Sequence, residues 1–213
     1  MFLNLLKYAS AHNPEKFEHD FFLFICYIRA DKKLQKMPAL QVITAPDPIL
    51  KQPSELVSEV TNELREFMRD MVDTMDADGG VGLAAIQVGL AKQILVIDLK
   101  DDDDDAKNRA EDFFPLFIIN PIVTWSSEEY IIASEGCLSV PSLVVEVPRP
   151  SAIKLQYLNY DGVPSTLEAK GWLARVIQHE IDHLHGRLII DYLSSLKKDL
   201  AITKLKKIKK HLI

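Results

Sequence analysis

Gln178-His179-Glu180-Ile181-Asp182-His183 sets two imidazoles four residues apart with a carboxylate beside the first. In a helix, positions i and i+4 stack on one face, so His179 and His183 point the same way. Two neutral imidazoles on one face can hold a transition metal, and Glu180 stands where a general base can reach a water on that metal. Leu173, Val176, Ile177, Ile181 and Leu184 supply an apolar side at helical spacing. Gly171 precedes the helix and Gly186 is its natural stop.

A catalytic metal takes three protein ligands and keeps one position open. His185 lies about 200° around the helix from His183 and cannot join the same site. His12, His19 and His211 lie in terminal segments. Cys137 sits in Ser134-Glu135-Gly136-Cys137-Leu138-Ser139-Val140-Pro141, where a glycine permits close backbone approach and a proline stiffens the turn. A buried structural cysteine is the plain alternative. The matching histidine pair favours a ligand.

Gly79-Gly80-Val81-Gly82-Leu83-Ala84-Ala85-Ile86-Gln87 is the other unusual stretch. Read as a dinucleotide fingerprint it needs a strand before and a helix after. Here an amphipathic helix precedes it, with Leu64, Phe67, Met68, Met71, Val72 and Met75 at helical spacing, and a strand follows it. The phosphate reading therefore fails on context. What is left is a glycine-rich lip able to bind an extended ligand through its backbone, or a simple flexible loop.

The rest of the chain frames these segments. At 213 residues, with 47% hydrophobic and 26% charged residues, the composition is that of an ordinary globular protein. A net charge of −6 argues against a general nucleic-acid surface, and no DNA partner is expected. The two cysteines, Cys26 and Cys137, exclude a disulfide scaffold and make a reducing cytosol the simplest home. Phe21 to Ile28 is apolar but far shorter than the roughly 20 residues a membrane span needs, so no membrane partner is expected. A composition change near Met37 marks residues 1–37 as an N-terminal extension and 38–213 as the catalytic domain. Gln93–Leu99, Phe117–Asn120, Ile131–Ala133, Leu143–Val147, Ile153–Tyr160 and Thr166–Ala169 read as strands, the last two as a hairpin around Tyr160-Asp161-Gly162. The aspartate run Asp101–Asp105 reads as a solvated, self-repelling loop. From about Leu193 the chain closes with an amphipathic helix whose apolar stripe is Leu193, Leu196, Leu200, Leu205, Ile208 and Leu212, decorated by lysines.

Three of these segments together resemble the signature motifs of the peptide deformylase family: Gly80 to Gln87, Glu135 to Ser139, and Gln178 to His183 continued by Leu184 and Gly186. They stand intact and in family order, and the resemblance runs from about residue 38 to residue 200. It implies an α+β fold, with antiparallel sheets packed around a central helix carrying the histidine motif. It implies a metal-dependent hydrolase that removes the formyl group from formyl-methionine of nascent polypeptides and releases formate. By similarity, Cys137, His179 and His183 bind one divalent metal, Fe²⁺ first, with Zn²⁺, Ni²⁺ or Co²⁺ able to substitute; a thiolate with two imidazoles suits all four. Glu180 is then the general acid and base. The Gln87 amide and the Leu138 backbone N–H donate to the oxyanion. Gly80, Val81 and Gly82 line the peptide, and Trp172 and Val176, with Ala133 nearby, lie near a pocket for the first side chain.

Arg175 stands where some relatives carry an apolar residue, which leaves the pocket's width open. Glu135 and Asp182 are read as partners of Arg149 behind the ligands, or as simple surface charges. The lysine-rich last helix suits docking to ribosomal RNA by phosphate neutralisation, or it merely packs on the domain. A monomer in a bacterial cytoplasm is the expected setting. A zincin-like endopeptidase is the competing hydrolase, but nothing after Gly186 offers it a third ligand except His211. A catalytically lapsed peptide- or ribosome-binding relative is the non-enzyme alternative; it is expected to have lost a ligand or the glutamate, and all are present.

Overall fold

Ile94-Leu95-Val96-Ile97 is an unbroken apolar run, and its two faces bury against different helices. The computed structural model describes residues 40–99 and 114–211, without the side chains of Lys210 and His211. Expectations for residues 1–37 and for Asp101–Asp105 fall outside the described residues. Within them, a five-stranded antiparallel sheet has the order β1-β2-β3-β6-β7, and a separate ribbon pairs β4 with β5. The strands are β1 (Gly82–Ala84), β2 (Ile94–Ile97), β3 (Leu116–Ser126), β4 (Tyr130–Glu135), β5 (Val145–Pro150), β6 (Ala152–Leu158) and β7 (Pro164–Lys170). The helices are α1 (Asn62–Ala77), α2 (Gly171–Leu184) and α3 (Ser195–His211). This is the α+β architecture expected, with the motif helix α2 at its centre.

The pleat of β2 sorts its side chains. Ile94 and Val96 pack with Met68, Met71 and Met75 of α1, whereas Leu95 and Ile97 pack with Leu173, Ala174, Val176 and Ile177 of α2. A strand covered on both faces needs apolar residues at every position, which explains the absence of alternation. Thr61 caps α1 by accepting from the Leu64 N–H at 3.3 Å. The expected hairpin is β6–β7, in register from Ala152↔Lys170 to Leu158↔Pro164, with Gly162 at φ +78° in its turn.

Helix α2 buries residues on most of its circumference, as a central helix must. It ends in a full Schellman arrangement: Gly186 N–H donates to His183 C=O at 3.0 Å and Arg187 N–H to Asp182 C=O at 2.9 Å. Gly186 has φ +69°, and a Cβ there would lie 2.5 Å from the Lys51 carbonyl oxygen, so two constraints require glycine.

The stripe expected on the last helix forms only in part: Leu193 and Leu205 pack on the domain, whereas Leu196 and Leu200 do not. Ala201 and Leu205 are buried with Val140, Val145, Val147 and Ile190, and Ile202 packs beside them, while Leu196 and Leu200 remain 73% and 63% exposed. The two exposed leucines lie about 140° around the helix from the buried pair. Three lysines of α3 are also engaged, Lys198 with Asp191, Lys204 with the Ser142 carbonyl and Lys209 with Asp47. No helix among the described residues is long and apolar enough to cross a membrane.

Candidate metal centre

Helix α2 presents His179 and His183 on one face, and the loop leaving β4 brings Cys137 against them. One ligand atom from each of Cys137, His179 and His183 lies within 4.8 Å of the others. Cys137 Sγ is 3.3 Å from His183 Nε2, and the two imidazole centroids are 5.1 Å apart at 71°. His179 Nδ1 is 2.8 Å from Glu135 Oε2, so the carboxylate holds the Nδ1 side of the ring and Nε2 is the nitrogen left for a metal. Burial, aided by nearby positive charge, holds the His183 pKa well below its ordinary value, so this ring is neutral. Burial pulls His179 the same way, but its hydrogen bonds with Cys137 and Glu135 prevail and raise it. A soft sulfur and two imidazoles at this spacing, with His183 turning Nε2 toward Cys137 Sγ, fit a divalent transition metal.

Behind the histidines lies a buried ionic network. Glu135 accepts from Arg149 Nε at 2.6 Å and Nη2 at 2.8 Å, and from Arg175 Nη1 at 2.7 Å. Burial alone would raise its pKa; the guanidinium and imidazole donors outweigh burial and lower it to about 2. Asp182 takes Arg149 Nη1 at 3.0 Å and the Tyr192 hydroxyl at 2.7 Å. The expected partnership of Glu135 and Asp182 with Arg149 is therefore present, and Glu135 is an internal acceptor rather than a surface charge.

Glu180 is buried beside the ligands, and its Oε2 has no hydrogen-bond partner. Burial pushes its carboxyl up to about 7, so it can hold or release a proton near neutrality. Gly82 makes room for it: a Cβ there would fall 2.5 Å from Glu180 Oε1 and 2.9 Å from Val176 Cγ1. A Cβ on Gly80 would meet Leu138 Cδ1 at 2.9 Å. The expected flexible lip is thus partly a strand, β1, at the edge of the large sheet. Gln87 sits in the turn after it. Its Oε1 accepts from Ala84 N–H at 2.7 Å, which aims its Nε2 at Ser139 Oγ, 3.1 Å away, and at Cys137 Sγ, 3.8 Å away.

Glu180, His179, Cys137 and Gln87 open onto a cleft of about 440 Å³. Gly80, Val81, Gly82, Leu138, Trp172 and Val176 line it, while Ala133 on β4 is not among its lining residues. His185 caps α2 on the exposed side, away from the ligands. Sequence reasoning passed over Val140, Ser142, Leu143 and Val144, which form the opposite wall, and Ser139, the acceptor of the Gln87 amide. The strand expected over Leu143–Val147 begins only at Val145, so Leu143 and Val144 face the cleft.

The polypeptide deformylase family model matches residues 39–199. The peptide deformylase of Rickettsia canadensis is 55% identical over 177 residues, covering 83% of this chain and 100% of that protein. The enzyme of the same description from Maricaulis maris is 47% identical over 174 residues, covering 82% of this chain and 96% of its own length. Among solved structures, peptide deformylase from Ehrlichia chaffeensis superposes with a TM-score of 0.75 at 43% identity, covering 82% of this chain and 99% of that one. The same protein in complex with actinonin gives a TM-score of 0.74, covering 80% and 98%.

Proposed function

The chain belongs to the polypeptide deformylase family, and from that premise we propose that it hydrolyses the formyl amide of N-formylmethionine on nascent polypeptides, releasing formate. The observation that carries this reading is the meeting of Cys137, His179 and His183 within 4.8 Å beside the buried, half-unpartnered carboxyl of Glu180. Those three residues would hold one divalent cation, Fe²⁺ first, with Zn²⁺, Ni²⁺ or Co²⁺ able to substitute. A cation held there supplies Lewis acidity toward the formyl oxygen and toward water.

Glu180 moves the proton. It takes one from the attacking water as oxygen bonds to the formyl carbon, and delivers it to the amine nitrogen as the C–N bond breaks. Its raised pKa suits both directions of transfer at neutral pH. In this reading the Gln87 amide and the Leu138 backbone N–H stabilise the developing oxyanion, supported by the Ala84 N–H, which orients the Gln87 amide before substrate arrives. β1 is an edge strand, so Gly80, Val81 and Gly82 can pair with the peptide backbone as an added strand, giving affinity with little sequence demand. Trp172 and Val176, with Val81, form one apolar wall of the cleft for the methionine side chain.

Residues 1–37 are an extension outside the catalytic domain 38–213, supported by a family match that begins at residue 39 and by relatives wholly covered by 177 residues. The enzyme works as a monomer in a bacterial cytoplasm, and the lysine-rich face of α3 favours ribosomal RNA. Formate release from a formyl-Met peptide, assayed anaerobically with added Fe²⁺, tests the reading. Turnover that disappears in Cys137→Ala is expected; a metal-loaded wild-type protein that releases no formate would overturn it.

A further inference from the structure

We propose that Arg175 is a positioning residue of the metal centre: its guanidinium fixes the imidazoles of α2 relative to the loop that carries Cys137. This rests on the metal-dependent reading above and adds to it a residue that touches neither metal nor leaving group.

Arg175 is buried on α2, one turn before His179 and on the same face. Its guanidinium meets acceptors on both strands of the β4–β5 ribbon. Nη1 donates to Glu135 Oε1 at 2.7 Å and to the Val147 carbonyl at 2.9 Å, and Nη2 donates to the Ile131 carbonyl at 2.6 Å. In the ribbon's register Ile131 opposes Arg149 and Ala133 opposes Val147, so the grip spans two rungs rather than one pair. The ribbon ends at Glu135, and Cys137 follows two residues later. Glu135 returns the connection to α2 by accepting from His179 Nδ1. Arg175, Glu135 and His179 thus close a ring between helix and ribbon.

Charge compensation does not explain this arginine. Arg149 already gives Glu135 a two-pronged partner. What Arg175 alone adds is the tie to the Ile131 and Val147 carbonyls, which only a planar fork with several donors can make at once. A buried guanidinium is costly unless all its directions are used, and here the burial is matched by three acceptors on two strands. Its stem also borders the cleft, so a role in shaping the methionine pocket is the alternative to be separated by experiment.

The test compares the wild-type chain, Arg175→Met and Arg175→Lys, each loaded with Co²⁺. Three quantities are measured: the thiolate-to-cobalt and d–d absorption bands, the Co²⁺ dissociation constant against a competing chelator, and kcat and KM for a formyl-Met peptide. Arg175→Met is expected to bind Co²⁺ about 10- to 100-fold more weakly, with shifted bands and a kcat loss that leaves KM nearly unchanged. Arg175→Lys keeps the charge but not the fork, and is expected to show the same changes to a lesser degree. A folded Arg175→Met with wild-type bands and affinity overturns the proposal, as does a change in KM alone. If Arg175→Met does not fold, wild-type bands and affinity in Arg175→Lys overturn it. Failure of the underlying functional reading would show separately, as a wild-type chain without thiolate-to-cobalt absorption or formate release.

Discussion

Gly82 and Glu180 compete for one space: a Cβ on Gly82 would lie 2.5 Å from Glu180 Oε1. The neighbour cannot yield easily, because Glu180 is enclosed and Val176 Cγ1 closes the same gap at 2.9 Å. Gly82→Ala is therefore expected to displace the carboxylate by a large fraction of an ångström while leaving the three ligands in place. A misplacement of that size costs about 10²-fold in rate. Metal content near the wild-type value with kcat/KM reduced by that order is the expected result. A Gly82→Ala enzyme of full activity would show that Glu180 does not need its present position.

Glu180 itself offers the sharper separation of binding from chemistry. Glu180→Ala removes the proton carrier but none of Cys137, His179 or His183, so bound metal per chain should stay as in the wild type. Turnover should fall toward the upper end of the roughly 10²–10⁴-fold range for a lost general acid or base. Gln87→Leu should lose less, on the order of 10²-fold, because it removes one oxyanion donor. Metal analysis beside steady-state formate release checks both. Substantial turnover in Glu180→Ala would refute the assigned mechanism.

What could be read from sequence follows how local each feature is. His179, Glu180 and His183 are set by one helical turn, so spacing alone reveals their shared face. β6 and β7 announce themselves through the Tyr160-Asp161-Gly162 turn that joins them. β1 does not: three residues with a glycine carry no strand periodicity, and the strand exists because β2 pairs with it. Leu196 and Leu200 look like core positions beside Leu205, yet the face of α3 that buries is chosen by the surface beneath it, which keeps Leu205 and takes Ala201 in their place. Arg175 looks like a polar intrusion on an apolar helix until Glu135, 40 positions away, is brought beside it. The sheet order β1-β2-β3-β6-β7 lies beyond pattern, because pairings such as β3 with β6 join segments that are distant in sequence.

Gly186 carries a stability prediction away from the chemistry. Its φ of +69° costs a residue with a side chain about 1–2 kcal/mol, and the Lys51 carbonyl 2.5 Å from the added Cβ raises that cost further. Because α2 ends there, the strain loosens the same helix that carries both histidines. Gly186→Ala should lower Tm by at least roughly 2–4 °C per kcal/mol lost, for a domain of this size. A Tm equal to that of the wild type, measured calorimetrically with metal-loaded protein, would mean the Schellman turn can relax around the new methyl group.

The last prediction concerns pH and the attachment of α3. Asp191, in the turn Ile189–Tyr192, accepts from Lys51, from Lys198 at 2.6 Å and from the Leu188 N–H at 2.7 Å. It thereby links the turn Pro48–Lys51 to the start of α3. Burial would raise its pKa, but the two ammonium groups and the backbone donor lower it below its ordinary 3.8. A carboxylate with a depressed folded pKa binds fewer protons folded than unfolded. Its contribution is therefore complete above pH 3.8 and is lost as pH falls through the lower folded value. Asp191→Asn keeps an acceptor for Leu188 and removes the charge. At pH 7 it should be less stable by about 0.5–1 kcal/mol, the range of partly exposed ion pairs. The difference between the two proteins in urea midpoint should narrow as both are taken below pH 3.8, since groups common to both cancel in the comparison. A gap that stays constant from pH 7 down to 3 would mean that the side chain acts by shape and hydrogen bonding, and that its charge does not hold α3 to the domain.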